Sequence, residues 1–163
     1  MAGSRIPALG PRGEGWVAGQ LVLLLGVAIT GALALRDPAL AGVTRWVVAA
    51  VGLALIALGG TVTLAGLRDL GPNLTATPRP RPGGQLVAGG IYRHLRHPIY
   101  AGICAGALGW SLLAASPIAA ILSLALAGWF DLKARREEQW LAEHYADYAA
   151  FASRTRRFIP GVY

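Results

Sequence analysis

The sequence predicts an all-α integral membrane protein. The expected architecture is a helical bundle of about four transmembrane helices with a C-terminal amphipathic helix at the membrane interface. Three observations predict it. Hydrophobic residues make up 55% of the 163 residues and charged ones only 14%, with mean hydropathy +0.50, a balance outside the range of soluble domains. Several uncharged apolar runs are long enough to cross a bilayer. The basic residues gather at the ends of those runs, in the manner of the positive-inside rule. A net charge of +7 invites a nucleic-acid reading, but this placement explains the arginines without one, so no nucleic-acid partner is expected. Cys104 is the single cysteine, which excludes an intrachain disulfide. The length fits one domain.

Residues 1–15 carry Arg5, Arg12 and Glu14 among Gly, Pro and Ser, and read as a mobile N-terminal tail. Val17 to Leu35 is a nineteen-residue run broken only by Gln20, enough for one crossing. Its Ala32-Leu33-Ala34 end resembles a signal-peptidase site, but the run is longer than a signal core and is expected to be retained. Arg36-Asp37-Pro38 stops that helix. Trp46 to Leu67 has no charge over twenty-two residues and gives the second crossing. Gly52, Gly59, Gly60 and Gly66 within it permit close helix approach. These two helices form an N-terminal unit over 16–67.

From Arg68 to Gly84 the prolines at 72, 78, 80 and 82 fix extended backbone, so 68–98 opens as a semi-rigid loop. Asn73-Leu74-Thr75 matches a glycosylation acceptor, discounted because the loop is expected in the cytosol. Ile99 to Phe130 is uncharged for thirty-two residues. As one helix it would be about 48 Å long, against a hydrocarbon core of about 30 Å. Ser116-Pro117 supplies the break, serine as N-cap and proline at the first helical position. The expectation is a hairpin, Pro98–Ala115 and Pro117–Leu132, with Gly102 and Gly106 as a small-xxx-small pair. Beyond it, Leu141, Tyr145, Tyr148 and Ala152 recur at helical spacing on one face, and Arg154, Arg156 and Arg157 suit anionic headgroups. The unit 99–163, with 84–98, forms the expected catalytic half.

Counting Lys and Arg sets the orientation. The N-terminal stretch has two, the loop 68–98 five and the segment from Lys133 onward six, against two in the first outer loop and none at the hairpin tip. Four crossings with both ends cytoplasmic satisfy every loop. The composition suggests a bacterial inner membrane.

The densest chemistry lies in Gly89 to Gly102, where two arginines, two histidines and two tyrosines fall within nine residues. Polar groups at the mouth of a membrane helix are costly to desolvate and mark candidate sites. Arg96-His97-Pro98-Ile99-Tyr100 resembles the RHPxY signature of the isoprenylcysteine carboxyl methyltransferases and of related phospholipid methyltransferases. The likeness covers about half the chain. It includes LVxxGxY (Leu86, Val87, Gly90, Tyr92), the glutamate pair Glu137-Glu138, Leu141, the Tyr148-x-x-Phe151 step and Phe158-Ile159-Pro160.

This resemblance implies an enzyme that transfers a methyl group from S-adenosylmethionine to a lipophilic small-molecule or prenylated acceptor reached through membrane lipid, leaving S-adenosylhomocysteine. Carried over by motif, the cofactor pocket takes Gln85, Leu86, Val87, Gly90, Tyr92, His97, Pro98, Ile99, Tyr100 and Glu137. The catalytic set is Arg96, His97, Glu137 and Glu138. The residue types fit the donor: a carboxylate for its ammonium, Arg96 with His97 for its carboxylate, and tyrosine rings for its sulfonium. Lys133 stands where eukaryotic members have an arginine linked to substrate, and is the expected substrate-binding residue, with the charge but without the bidentate fork. Only two spans precede the catalytic half, fewer than in eukaryotic members. The favoured acceptor is an isoprenylcysteine-type carboxylate or similar small lipid, with a phospholipid amine as the alternative. Two readings of other classes are a sterol-reductase-like enzyme using NADPH and a non-enzymatic membrane subunit. Arg93 reads as a topology charge and His94 as non-catalytic; no metal site is expected from the His94-x-x-His97 spacing. Asp131 near the inner end of the fourth span is a candidate supporting residue.

Overall fold

A computed structural model describes residues 6–36, 39 and 41–163. Among the described residues the chain is helical, without named strands: α1 (Glu14–Ala34), α2 (Gly42–Leu70), α3 (Pro98–Leu113), α4 (Pro117–His144) and α5 (Tyr148–Arg154), with short 3-10 turns at Gly71–Asn73 and Gly90–Arg93. Three of them, α1, α2 and α4, are long and apolar enough to cross a membrane. The fourth apolar helix, α3, has 16 residues, about 24 Å at 1.5 Å per residue, and falls short of a full hydrocarbon thickness.

The first helix stops at Ala34, where the Leu35 N–H caps Gly31 O. Asp37 and Pro38 of the expected stop signal lie outside the described residues, as does Arg5. Ile6–Gly13 folds back on α1: Gly15 N–H donates to Leu9 O at 2.8 Å and Trp16 Nε1 to Pro7 O at 3.2 Å. The hairpin break is at Ser116-Pro117, with Ser116 Oγ accepting from Ala119 N–H at 3.2 Å. The C-terminal end of the chain departs from expectation. α4 runs unbroken for 28 residues, about 42 Å, so its charged last turns project beyond the hydrocarbon core instead of bending at Leu132. The face 141–152 is split between the end of α4 and α5. Leu141, Tyr145 and Ala152 still meet, packed around Tyr92, Tyr148 and Phe151.

The α3 helix lies between α2 and α4, and α1 packs on α4 and α3. Small residues set the α2–α3 contact: a Cβ on Gly52 would stand 2.6 Å from Gly109 O, and one on Gly109 2.6 Å from Gly52 O. Gly59 and Gly102 interlock in the same way. The pairing partner of Gly102 along α3 is therefore Gly109. Gly106 and Gly60 would meet nothing on gaining a Cβ, so the expected roles of these two as notches are corrected. On the other side, the Trp129 ring fills the notch at Gly19 and Trp110 that at Gly31. Their indole N–H groups reach Trp16 O at 3.0 Å and Val27 O at 3.2 Å. Ser111 and Ser123 share a buried hydrogen bond of 2.9 Å between α3 and α4, polar glue of the kind membrane bundles use.

Candidate active site

The RHPxY stretch is held in place by its surroundings on three sides. Upstream, Gly90 sits at φ 56°, which glycine adopts without strain. Ile91 N–H then donates to Asp69 Oδ2 at 2.8 Å, and a side chain on Gly90 would collide with that carboxylate. The turn carries Tyr92 beneath α2, its hydroxyl donating to Gly66 O at 3.3 Å. Burial, reinforced by Glu137 and Asp69, raises the Tyr92 phenol well above its ordinary 10.0. Downstream, Pro98 opens α3 at its first position, where the missing N–H costs nothing. Alongside, residues 94–97 pair with 156–157: Arg96 N–H donates to Arg156 O at 2.7 Å and His97 N–H to Arg157 O at 3.1 Å.

The two glutamates on α4 face this stretch in different ways. Glu137 Oε2 accepts from Tyr100 Oη at 2.6 Å and lies 3.9 Å from His97 Nδ1. Glu138 is enclosed by donors: Arg96 Nε at 2.9 Å, Arg157 Nε at 3.0 Å and Nη2 at 2.8 Å, and His97 Nε2 at 3.3 Å. The buried His97 ring stacks on Tyr100, centroids 5.3 Å apart and planes 6° apart. Phe158 packs against its edge at 6.0 Å.

A cavity of about 1100 Å³, counting its open mouth, lies at this junction. Of the cofactor residues expected from sequence, Gln85, Leu86, Val87, Tyr92, His97, Ile99, Tyr100 and Glu137 line it. Arg96 and Lys133 line it as well. Gly90, Pro98 and Glu138 do not: the first two shape the turn and the start of α3, and Glu138 sits behind His97 in its basic cage. Arg96 reaches the wall with its Nε engaged by Glu138 and its Nη1 by Ala152 O at 2.9 Å and Thr155 O at 2.6 Å. Exposed His94 accepts from Arg93 Nε at 3.1 Å. Asp131 binds Arg135, Arg157 and the Tyr163 hydroxyl, and through Arg157 is linked to Glu138.

Several lining residues escaped the sequence reading. Asn73 accepts from Gln85 N–H at 2.9 Å and so ties the proline-rich loop to the end of α2. Arg81, Tyr145 and Phe151 complete that end of the wall. At the other end, among the apolar helices, stands Gln20 of α1; its being the lone polar interruption of a span was the available signal. Arg157 was read as a headgroup charge, whereas the structure turns it inward onto Glu138 and Asp131. Its neighbours Arg154 and Arg156 remain exposed.

The cavity is thus lined by one carboxylate, three phenols, an imidazole, cations and apolar walls, a set suited to a ligand bearing both charges and a lipophilic partner. A sequence profile described as phospholipid methyltransferase matches residues 47–148. The chain belongs to this family. Among curated relatives, the cobalt-zinc-cadmium resistance protein CzcN of Cupriavidus metallidurans is 35% identical over 81 residues, 49% of this chain and 38% of CzcN. Two rice proteins, the probable protein-S-isoprenylcysteine O-methyltransferases of Oryza sativa subsp. indica and subsp. japonica, are each 27% identical over 119 residues. That alignment covers 71% of this chain and 62% of theirs, so the chain spans less than two thirds of the length of these relatives. As a member of the phospholipid methyltransferase family, the chain holds its cavity mostly within the matched region. Of its lining, Gln20 of α1 and Phe151 lie outside that region, as does the 155–158 segment that pairs with 94–97.

Proposed function

We propose that this chain transfers the methyl group of S-adenosylmethionine to a lipophilic acceptor that enters the cavity from the bilayer, at the cytoplasmic face of a bacterial inner membrane. The observation that carries the reading is the 2.6 Å bond between Tyr100 and Glu137. It joins the RHPxY motif to the first glutamate of the pair inside one cavity, and leaves a carboxylate, stacked rings and cations converging on the same space.

The residues fit the donor. Glu137 offers a carboxylate to the ammonium of its amino-acid end, and Arg81 with His97 offers donors to its carboxylate. The faces of Tyr92 and Tyr100 suit a sulfonium. The extended backbone at Gln85–Val87 can meet an adenine edge, held there by the Asn73 bond. When bound, S-adenosylmethionine supplies an electrophilic methyl group and departs as S-adenosylhomocysteine. The task left to the chain is alignment and exclusion of water, and positioning of this kind is worth up to about 7–11 kcal/mol in ideal intramolecular models. Glu138 keeps the His97 ring in register from behind, and Tyr100 orients Glu137.

Heat stabilisation of the purified protein by S-adenosylhomocysteine and by NADPH tests the assignment. Stabilisation by S-adenosylhomocysteine, lost in Glu137→Gln and in His97→Ala while both variants still insert into membranes, is expected. Stabilisation by NADPH alone, or full S-adenosylhomocysteine affinity in both variants, would overturn it.

A further inference from the structure

The donor and product of the proposed reaction carry charges and do not dissolve in hydrocarbon. Each must therefore cross the water-side mouth of the cavity in every turnover, whereas the transfer between them is favoured when water is shut out. Resting on that reading, we infer that residues 7–13 form a strap that latches the proline-rich loop 72–82 over this mouth, with Pro78 as the latch and Gly71 and Gly83 as hinges. The strap lies outside the family-matching region.

The loop is built to move as one piece. Leu74, Thr75, Ala76, Pro80 and Arg81 form its cavity side. Its two legs are tied to each other: Arg81 Nη1 donates to Pro72 O and Gln85 N–H to Asn73 Oδ1, both at 2.9 Å. Within the loop, Thr75 Oγ1 donates to Thr77 O at 2.7 Å. Gly71 and Gly83 stand at its ends at φ 49° and 73°, with open space around them. Glycine enters and leaves such conformations without steric cost. Among the described residues, one hydrogen bond reaches from this loop to a distant part of the chain, Arg79 Nη1 to Pro11 O at 2.9 Å.

Pro78 is the buried residue of the loop, seated against Gly13 of the strap and near Trp140 of α4. A Cβ on Gly13 would stand 2.6 Å from Pro78 Cγ and 3.3 Å from the Trp140 ring, and Gly13 itself sits at φ 84°. The strap is fixed where the loop is not. Its Leu9 and Pro7 carbonyls accept from Gly15 N–H and Trp16 Nε1, and buried Trp16 packs on Trp129 of α4, ring centres 4.8 Å apart. A jointed loop held to a fixed strap by one exposed tie and one proline opens more readily than the helices around it. Opening carries Arg81 away from the cavity, and closing returns its guanidinium to the ligand.

The test compares the unaltered chain with Arg79→Met, which removes the tie, and Gly13→Ala, which pushes Pro78 off its seat; neither residue lines the cavity. Two rates are read in neutral detergent. One is the labelling of Ile103→Cys, on the cavity wall in a Cys104→Ser background, by a water-soluble, negatively charged methanethiosulfonate. The other is the association and dissociation of S-adenosylhomocysteine, followed by tryptophan fluorescence. Both variants should label about fivefold faster and exchange S-adenosylhomocysteine faster in both directions by a similar factor, with affinity kept within about twofold. Unchanged labelling overturns the inference, and so does faster dissociation alone with weakened affinity, the signature of a wall that only supports the ligand. Arg79 is exposed, so its variant keeps the fold even if Gly13→Ala does not. If S-adenosylhomocysteine fails to bind the unaltered chain while labelling responds, the methyl-donor reading falls and the strap stands. If it binds and labelling does not respond, only the strap falls.

Discussion

Glu137 and Glu138 are neighbours in sequence that share almost no surroundings. Glu137 has a tyrosine hydroxyl and open cavity; Glu138 has two guanidinium groups and an imidazole. Glu137→Gln should therefore cut S-adenosylhomocysteine affinity at least tenfold, read by calorimetric titration, with little change in melting temperature. Glu138→Leu should do the reverse and lower the melting temperature first, because it strands Arg96 and Arg157 without their carboxylate, and hydrogen bonds to charged groups are worth roughly 1.5–3 kcal/mol each. Equal melting temperatures for the two variants would contradict this division. Tyr92 gives a pH dependence of definite sign. Its phenol is raised in the folded state above 10.0, so the folded chain holds that proton longer than the unfolded one. Stability should fall as pH climbs past 10.0, and fall less steeply in Tyr92→Phe, measured as melting temperature against pH. At this scale the motif residues were legible in the sequence, since RHPxY and a glutamate pair are local patterns. That Glu137 and not Glu138 lines the cavity was implied by the family resemblance alone; local spacing does not contain it, because it depends on how α4 is rotated and on Arg157, nineteen positions away from Glu138.

Helices α2 and α3 meet backbone to backbone, so a side chain at the notch has nowhere to go. Gly59→Val should abolish stable folding or drop the melting temperature by more than any surface change, whereas Gly60→Val, on the open face, should be tolerated. Matching melting curves for the two would argue against this packing. Ser116→Ala removes the N-cap of α4 and should cost about 1 kcal/mol, seen as a small shift in the unfolding midpoint. Helix number and the Ser116-Pro117 break were readable because length and capping chemistry are local. The glycine register was not. A membrane helix is apolar all round, so hydrophobic periodicity carries no signal about which face meets which neighbour. The C-terminal break likewise depended on Tyr92 and Phe151 packing together, a contact no spacing rule contains.

Across the whole molecule, the site is closed by a long-range pairing. Arg96 donates to the carbonyl of Thr155, 59 positions later, and Arg157 on the same strand of chain grips the glutamate beneath His97. A chain shortened to end at Arg154 should still insert as a bundle, judged by membrane fractionation, but fail to bind S-adenosylhomocysteine; retained binding would show that the 155–158 segment is dispensable. The pairing also orders events during synthesis. Residues 94–97 are synthesised about sixty positions before their partner, and α3, α4 and α5 all lie between the two in the chain. The cavity is therefore completed late, once the segment after α5 has been made and can pair with 94–97. Until that segment is made, the wall around His97 and Glu138 lacks the groups that hold it.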